Sequence, residues 1–314
     1  MHRLSRLLMS EIALRLITAL TIVATSVFAT GGCSPQEQIE KQGALKVVAS
    51  IGPLAMIARE VAGDDATVQQ LIRNGDPHHF APKVSDRLNL EAAQLVVWMG
   101  PPMESVLARQ MALVPAERQL VLLADETAYE YEGAEPTDPH LWLRPRNAAV
   151  MAAMIATRLA SADPDNAVHY RQRARDFSRA MSNLQKVQDR ALWAYKDAPI
   201  VTTHQAYSHF FGAAGVEVES LAGSADHQHG ARTLVQKRRK SEGDQSEGAV
   251  AGCLFGEAPA NDRDRQTAAN LNLGYQALDP LGVYLPGSAG YRDLMEKLLA
   301  DARLCLARIP DRSE

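Results

Sequence analysis

The chain has 314 residues, of which 46% are apolar, 22% charged and 5% aromatic, the composition of a globular protein and not of a disordered or fibrous one. Its 33 Lys and Arg against 37 Asp and Glu give a net charge of −4, which offers no basic footprint for nucleic acid. A length beyond that at which single cores stop growing predicts two domains, each with its own core, and a cleft between them.

At the N-terminus, Arg3, Arg6 and Arg15 precede an uncharged apolar run over residues 17–29, the pattern of a secretory signal covering residues 1–32. The run is shorter than the roughly 20 residues that span a bilayer as a helix, and no later run is long enough, so no transmembrane segment is expected. Removing the signal takes away three Arg and Glu11 and leaves 30 basic against 36 acidic side chains, a mildly acidic exported protein. Thr30-Gly31-Gly32-Cys33 resembles a bacterial lipobox, which would make Cys33 the lipidated first residue of a membrane-anchored form. Thr30 stands where such boxes usually carry Leu, so a plain soluble periplasmic form is the alternative. Residues 33–43, polar and rich in Gln and Glu, read as a tether. Three cysteines in an exported chain leave one unpaired after a single disulfide; Cys253 and Cys305 are the natural pair, with two free buried thiols as the alternative.

The body then alternates. Residues 45–50 form a strand candidate, followed by Pro53 and a helical pattern to Ala62. Further strands are predicted at 68–72, 95–99 and 119–123, with a helical pattern from Gly100-Pro101-Pro102 to Val114. Two helical stretches follow, 147–160 and 166–195, separated by Asp163-Pro164-Asp165. The second would run about 45 Å, more than the width of one small domain. After Pro199 the alternation resumes, with strands at 200–203, 216–221, 251–255 and 274–278 and helices near 206–214, 232–239, 261–271 and 291–309. The charged run at 237–248 reads as a solvated helix end and loop. The pattern is α/β: two α/β domains with parallel-type sheets (44–165 and 197–314), joined by a single long bridging helix (166–196).

The chemistry lies in the histidines. His78 sits in Asp76-Pro77-His78-His79-Phe80, His140 in Asp138-Pro139-His140-Leu141-Trp142-Leu143, and His204 in Thr203-His204-Gln205-Ala206-Tyr207, each at a junction between an apolar run and a loop. Asp279 follows the strand ending at Leu278 and precedes Pro280-Leu281-Gly282. Ligands in open α/β sheets bind outside the carboxyl ends of strands, where His204 and Asp279 fall. Taken singly each His has a structural reading; four candidate ligands at loop mouths point to one metal site in the interdomain cleft.

These motifs, together with Val96-Val97-Trp98-Met99-Gly100-Pro101 plus Glu104 and with Phe255-Gly256-Glu257, resemble in their order the metal-binding solute receptors of ABC transporters, in the zinc-receptor branch of the cluster A-I family. The likeness covers nearly the whole mature chain. It implies that His78, His140 and His204 are metal ligands and that Asp279 is the fourth or a nearby carboxylate, with His79 beside the ligand and not one itself. Three imidazoles and a carboxylate suit tetrahedral zinc, whereas manganese favours more oxygen; in the manganese branch a Glu resembles the counterpart of His204. The resemblance further implies a monomeric, high-affinity receptor that captures Zn²⁺ in the periplasm and delivers it to the membrane permease of an ABC importer, a periplasmic metallochaperone being a further candidate partner. A manganese or iron receptor is the alternative; a zinc hydrolase is a third reading, disfavoured because no His-Glu-x-x-His pattern occurs. An adhesin role belongs to some relatives. Two departures stand out. Residues 125–137 lack the His-rich loop of many zinc receptors, and Asp226-His227-Gln228-His229-Gly230 reads as a solvated polar loop, with an auxiliary metal site at His227 and His229 as the alternative. Because imidazoles must be deprotonated to bind, zinc affinity is expected to fall as pH drops below about 6.5.

Overall fold

The computed structural model describes residues 44–132, 138–221 and 250–310. The signal, Cys33, the tether, the helix at 232–239, the charged run at 237–248 and the His227 and His229 cluster lie outside the described residues.

Strands β1 (Leu45–Ala49), β2 (Ala66–Gln70), β3 (Leu95–Trp98) and β4 (Gln119–Val121) form a parallel sheet in the order β2-β1-β3-β4. A second parallel sheet, in the order β6-β5-β7-β8, is made from β5 (Ile200–Thr202), β6 (Val218–Ser220), β7 (Cys253–Glu257) and β8 (Gly274–Leu278). The central strands β1, β3, β5 and β7 are buried over most of their length, broken only by Lys46 in β1 and Glu257 at the end of β7, so they read as apolar runs and not as alternating ones. Each sheet reverses its winding between its two central strands, the place where a crevice opens beyond the carboxyl ends.

Two strand boundaries differ from expectation in ways that bear on the site. Past β2, Leu71 and Ile72 still donate to Ala49 and Ser50 at 2.9 and 2.8 Å, so the chain runs extended into the loop that carries His78. Predicted at 251–255, β7 instead continues through Gly256 to Glu257. The apolar signal stops at Phe255, but backbone pairing with β8 does not, with Glu257 opposite Leu278.

Helix α1 (Gly52–Ala62) follows β1 as predicted. An unpredicted helix, α2 (Val84–Ala92), follows the His78 loop. Of its apolar side chains only Leu90 is buried, while Val84 and Leu88 face water, so it lacks the stripe by which a helix is read from sequence. It is held at its start by Lys83 N donating to Asp86 Oδ2 (2.8 Å) and along its surface by the Arg87–Glu91 pair (2.7 Å). The helix expected to run to Val114 is broken: α3 (Pro101–Glu104), a 3₁₀ turn at Ser105–Leu107, then α4 (Ala108–Met111). The break is at Glu104, whose backbone leaves the helical region at φ −126°, ψ 50°.

Helix α5 (Pro145–Ala162) leads into α6 (Ala167–Trp193), 27 residues and about 40 Å long. The buried positions of α6, among them Ala167, Tyr170, Ala174, Phe177, Met181, Leu184, Gln188 and Leu192, recur every three or four residues and draw one stripe along its length. That stripe touches both halves. Arg173 donates to the carbonyls of Val61 and Ala62 at the end of α1, at 2.7 Å each, and pairs with Asp65. Farther along, Gln188 Nε2 donates to the Phe210 carbonyl in α7 (Ser208–Phe211), at 2.7 Å. The remaining elements are α8 (Asp262–Leu271) and α9 (Tyr291–Leu306); Tyr291 meets the Phe177 ring edge-on. The two separate cores expected from length are therefore not found. Among the described residues one buried apolar cluster runs through both halves, with a small satellite of Val201, Leu254, Ala268 and Leu273, because α6 and α9 each pack against elements of both halves.

Cys253 in β7 and Cys305 in α9 are joined by a disulfide. A Cβ on Gly274 would lie 2.6 Å from the Cys305 sulfur, so the bridge needs glycine there. Among the described residues no helix is long and apolar enough to cross a membrane.

Candidate metal centre

Three histidines from three loops converge where the carboxyl ends of the two sheets face each other. His78 comes from the β2–α2 loop. Its backbone N–H donates to Asp76 Oδ1 (2.8 Å), the Asx turn that Asp-Pro-His sets up, while the other Asp76 oxygen takes Nδ1–H of His79 (2.6 Å). His78 is thereby turned inward and His79 outward, where it is almost fully exposed. The inner ring lies against the Met103 backbone, and its Nε2 is buried without a hydrogen-bond partner.

His140 is buried and precedes the short 3₁₀ turn Leu141–Leu143. Asp138 Oδ1 accepts both the His140 backbone N–H (2.9 Å) and ring Nδ1–H (2.7 Å), which leaves Nε2 as the free lone pair. Asp138 is itself held by the Ser208 hydroxyl, and its backbone carbonyl accepts from His209 Nε2 at 3.0 Å. His204 follows β5 by two residues. Its Nε2 faces His140 Nε2 at 3.3 Å, about the separation that two corners of a tetrahedral zinc demand when Zn–N is about 2.0–2.1 Å. One ligand nitrogen from each of His78, His140 and His204 lies within 4.8 Å of the other two.

The electrostatics fit neutral imidazoles. Burial, then the neighbouring His140 and His78, push His204 down to about 4, against the pull of Asp76 and Asp138. Burial also lowers His78, opposed by Asp76. Burial pushes the Asp138 carboxyl up, but the hydrogen bond and charge of His140, with His209 and Ser208, outweigh it and hold the group at about 2. A carboxylate behind a ligating imidazole fixes its tautomer and raises its basicity, the arrangement zinc sites use.

These side chains line a cavity of about 210 Å³ together with Met103, Trp142, Glu257, Asp279 and residues of the 280–284 segment. Asp279 borders the cavity but stands outside the three-histidine group, and its Oδ2 accepts the Tyr284 backbone N–H at 2.8 Å. Glu257, given only as a motif marker in the sequence, is a second carboxylate on this wall; burial raises it, opposed by His140. Its signal was its place at the carboxyl end of a buried strand. His209, to which sequence reasoning assigned no role, is fully buried and braces Asp138; Asp138 itself was legible only as a neighbour of His140.

Residues 47–302 match the protein family described as zinc-uptake complex component A, periplasmic. The chain is 25% identical over 337 aligned residues to the high-affinity zinc uptake system protein ZnuA of Brucella suis, covering 92% of this chain and 98% of that protein. It is 28% identical over 305 residues to the protein of the same name from Paracoccus denitrificans, covering 82% of this chain and 91% of that one. Its fold superimposes on Zn(II)-bound AdcA from Streptococcus pneumoniae with a TM-score of 0.65 at 20% identity, over 87% of this chain and 61% of that longer one.

Proposed function

We propose that this chain, which belongs to the ZnuA family of periplasmic zinc-uptake components, is the receptor that captures Zn²⁺ and delivers it to the membrane permease of an ABC importer. The observation that carries the reading is the convergence of three imidazole nitrogens within 4.8 Å of one another, two of them already at tetrahedral spacing. His78, His140 and His204 are the nitrogen ligands in this reading, and Asp279 is the carboxylate that completes the set. Three neutral imidazoles and one carboxylate around Zn²⁺ leave a single positive charge, tolerable in a partly open cleft whose walls carry Asp76 and Glu257, with Asp138 behind His140.

The zinc is cargo, so it must leave as well as bind. Because α6 ties both halves into one core, the loops carrying His78 and Asp279 are the parts free to rearrange when metal is gained or lost, and not whole domains. The exported chain is held at a membrane through Cys33, after removal of residues 1–32. Intact mass of the mature N-terminus would read both the cleavage and the lipid.

Titration calorimetry of metal-stripped protein tests the central reading. One equivalent of Zn²⁺ should bind tightly and ahead of Mn²⁺ in competition. Tight binding that survives replacement of both His140 and His204 by Ala would overturn it.

A further inference from the structure

Glu104 is fully buried, and none of the chemistry above uses it. Its Oε2 accepts the backbone N–H of Met99 at 2.8 Å and of Gly100 at 3.4 Å, and the Ser50 hydroxyl lies against the same carboxyl. Burial pushes the group up to about 7, against those hydrogen bonds. A carboxyl placed there is costly beside an apolar side chain of the same shape, so its worth must lie in what it holds.

What it holds is the turn after β3. Gly100 sits at φ 121°, a conformation that needs glycine, and its carbonyl accepts from Met103 N (3.1 Å) and Glu104 N (2.9 Å). Glu104 leaves the helical region so that its carboxyl can reach back to the start of the same turn, which is why the expected helix breaks there. The loop Met99–Gly100–Pro101–Pro102–Met103 is thus closed at both ends on one buried group. Met103 borders the metal cavity, and its backbone lies against the His78 ring. His78 Nε2 has no hydrogen-bond partner of its own, so the ring is placed by its contacts with the Met103 backbone and with the His140 and His204 rings.

We infer that Glu104 is a positioning residue for the zinc site: by clamping the 99–103 turn it sets the Met103 backbone that orients His78. This rests on His78 being a zinc ligand. Ligand-orienting partners behind a metal site typically contribute tenfold to a hundredfold in affinity.

The test is a cycle of variants, with zinc affinity read by competition against a chromogenic chelator and metal-free thermal stability read separately. Glu104→Asp withdraws the carboxyl by one methylene, Glu104→Leu removes it, and Glu104→Gln keeps an acceptor for both amides. Expected are tenfold to hundredfold weaker zinc binding in the Asp and Leu variants and binding within about threefold of wild type in Gln. On a His78→Ala background, none of the three should change affinity further. If Leu does not fold, the Asp and Gln pair decides. Equal losses with and without His78, or wild-type affinity in both Asp and Leu, overturns the positioning role. If His78→Ala alone leaves affinity intact, the ligand assignment is what fails, and this proposal falls with it.

Discussion

Asp138 and His140, two residues apart, meet twice through one oxygen: Oδ1 accepts both the backbone N–H and the ring Nδ1–H of His140. The intervening Pro139 has no N–H to compete, so the Asp-Pro-His step delivers both donors to one acceptor. Replacing Asp138 by Asn lets the amide turn its NH₂ toward the ring and favours the wrong tautomer. Zinc affinity in Asp138→Asn should fall tenfold to a hundredfold with the fold intact, as read by calorimetry and circular dichroism. Unchanged affinity would show that the pair does not orient the ligand.

The pH dependence follows from the same cluster. His204 is held at about 4 in the folded chain against 6.5 when free, so between those values the unfolded chain takes up a proton that the folded one refuses. Stability from this group is complete above about 6.5 and declines as pH falls toward 4. Asp138, held at about 2 against an ordinary 3.8, contributes stability that is present above about 4 and lost as pH falls through 2. Metal-free protein should therefore lose denaturation midpoint in two acid steps, the first of which shrinks in His204→Ala to what His78 contributes. For zinc, proton competition at His204 and His78 sets in lower than for free imidazoles, so affinity should hold to more acid pH than the value near 6.5 implied by sequence alone. A fall centred at 6.5 would contradict this.

How much of this was legible in sequence depends on where the signal lay. β8 was read to the residue and α6 nearly so, because a continuous apolar run and a long 3-4 stripe are local patterns. α2 was missed because its stability comes from Asp86 at the cap and a surface ion pair, not from a buried face. The break at Glu104 was missed because it is caused by a side chain reaching back to backbone amides, which no periodicity records. The three histidines were found because each stands at a loop mouth beside a proline or a buried strand, while His209 and Glu257 carry meaning only through neighbours distant in sequence.

The Cys253–Cys305 bridge closes a loop of 52 residues in sequence separation. In the chain-entropy model this stabilises the fold by about 4 kcal/mol. Replacing both cysteines by Ser should lower stability by roughly that amount in urea unfolding, with zinc affinity unchanged, since neither sulfur borders the cavity. A loss below about 1 kcal/mol would mean that the unfolded chain is already restrained in this region.

In the proposed site, His204 is the ligand expected to set the choice between metals. Exchanging this imidazole for a carboxylate replaces a nitrogen donor by oxygen, which moves the set away from zinc and toward manganese. His204→Glu should weaken Zn²⁺ by roughly a hundredfold while weakening Mn²⁺ far less, so the ratio of the two affinities is the measurement. An unchanged ratio would show that cavity shape, and not donor chemistry, sets selectivity.

Asp279 should behave differently from the histidines. Its Oδ2 is occupied by the Tyr284 N–H, and it stands outside the group in which the three imidazole nitrogens already meet. To serve as the fourth ligand, its carboxylate must turn toward the ion, loosening the 279–284 turn that the Tyr284 contact closes. Asp279→Ala should therefore cost about tenfold in affinity, less than the roughly hundredfold or greater loss in His140→Ala, where a buried ligand and its carboxylate partner are both undone. Amide hydrogen exchange gives the sharper reading: zinc should make Tyr284 exchange faster in the wild type, as its acceptor is drawn away, and should leave it unchanged in Asp279→Ala. Slower exchange at Tyr284 on loading would mean that the carboxylate keeps its backbone partner and meets the ion, if at all, through its other oxygen.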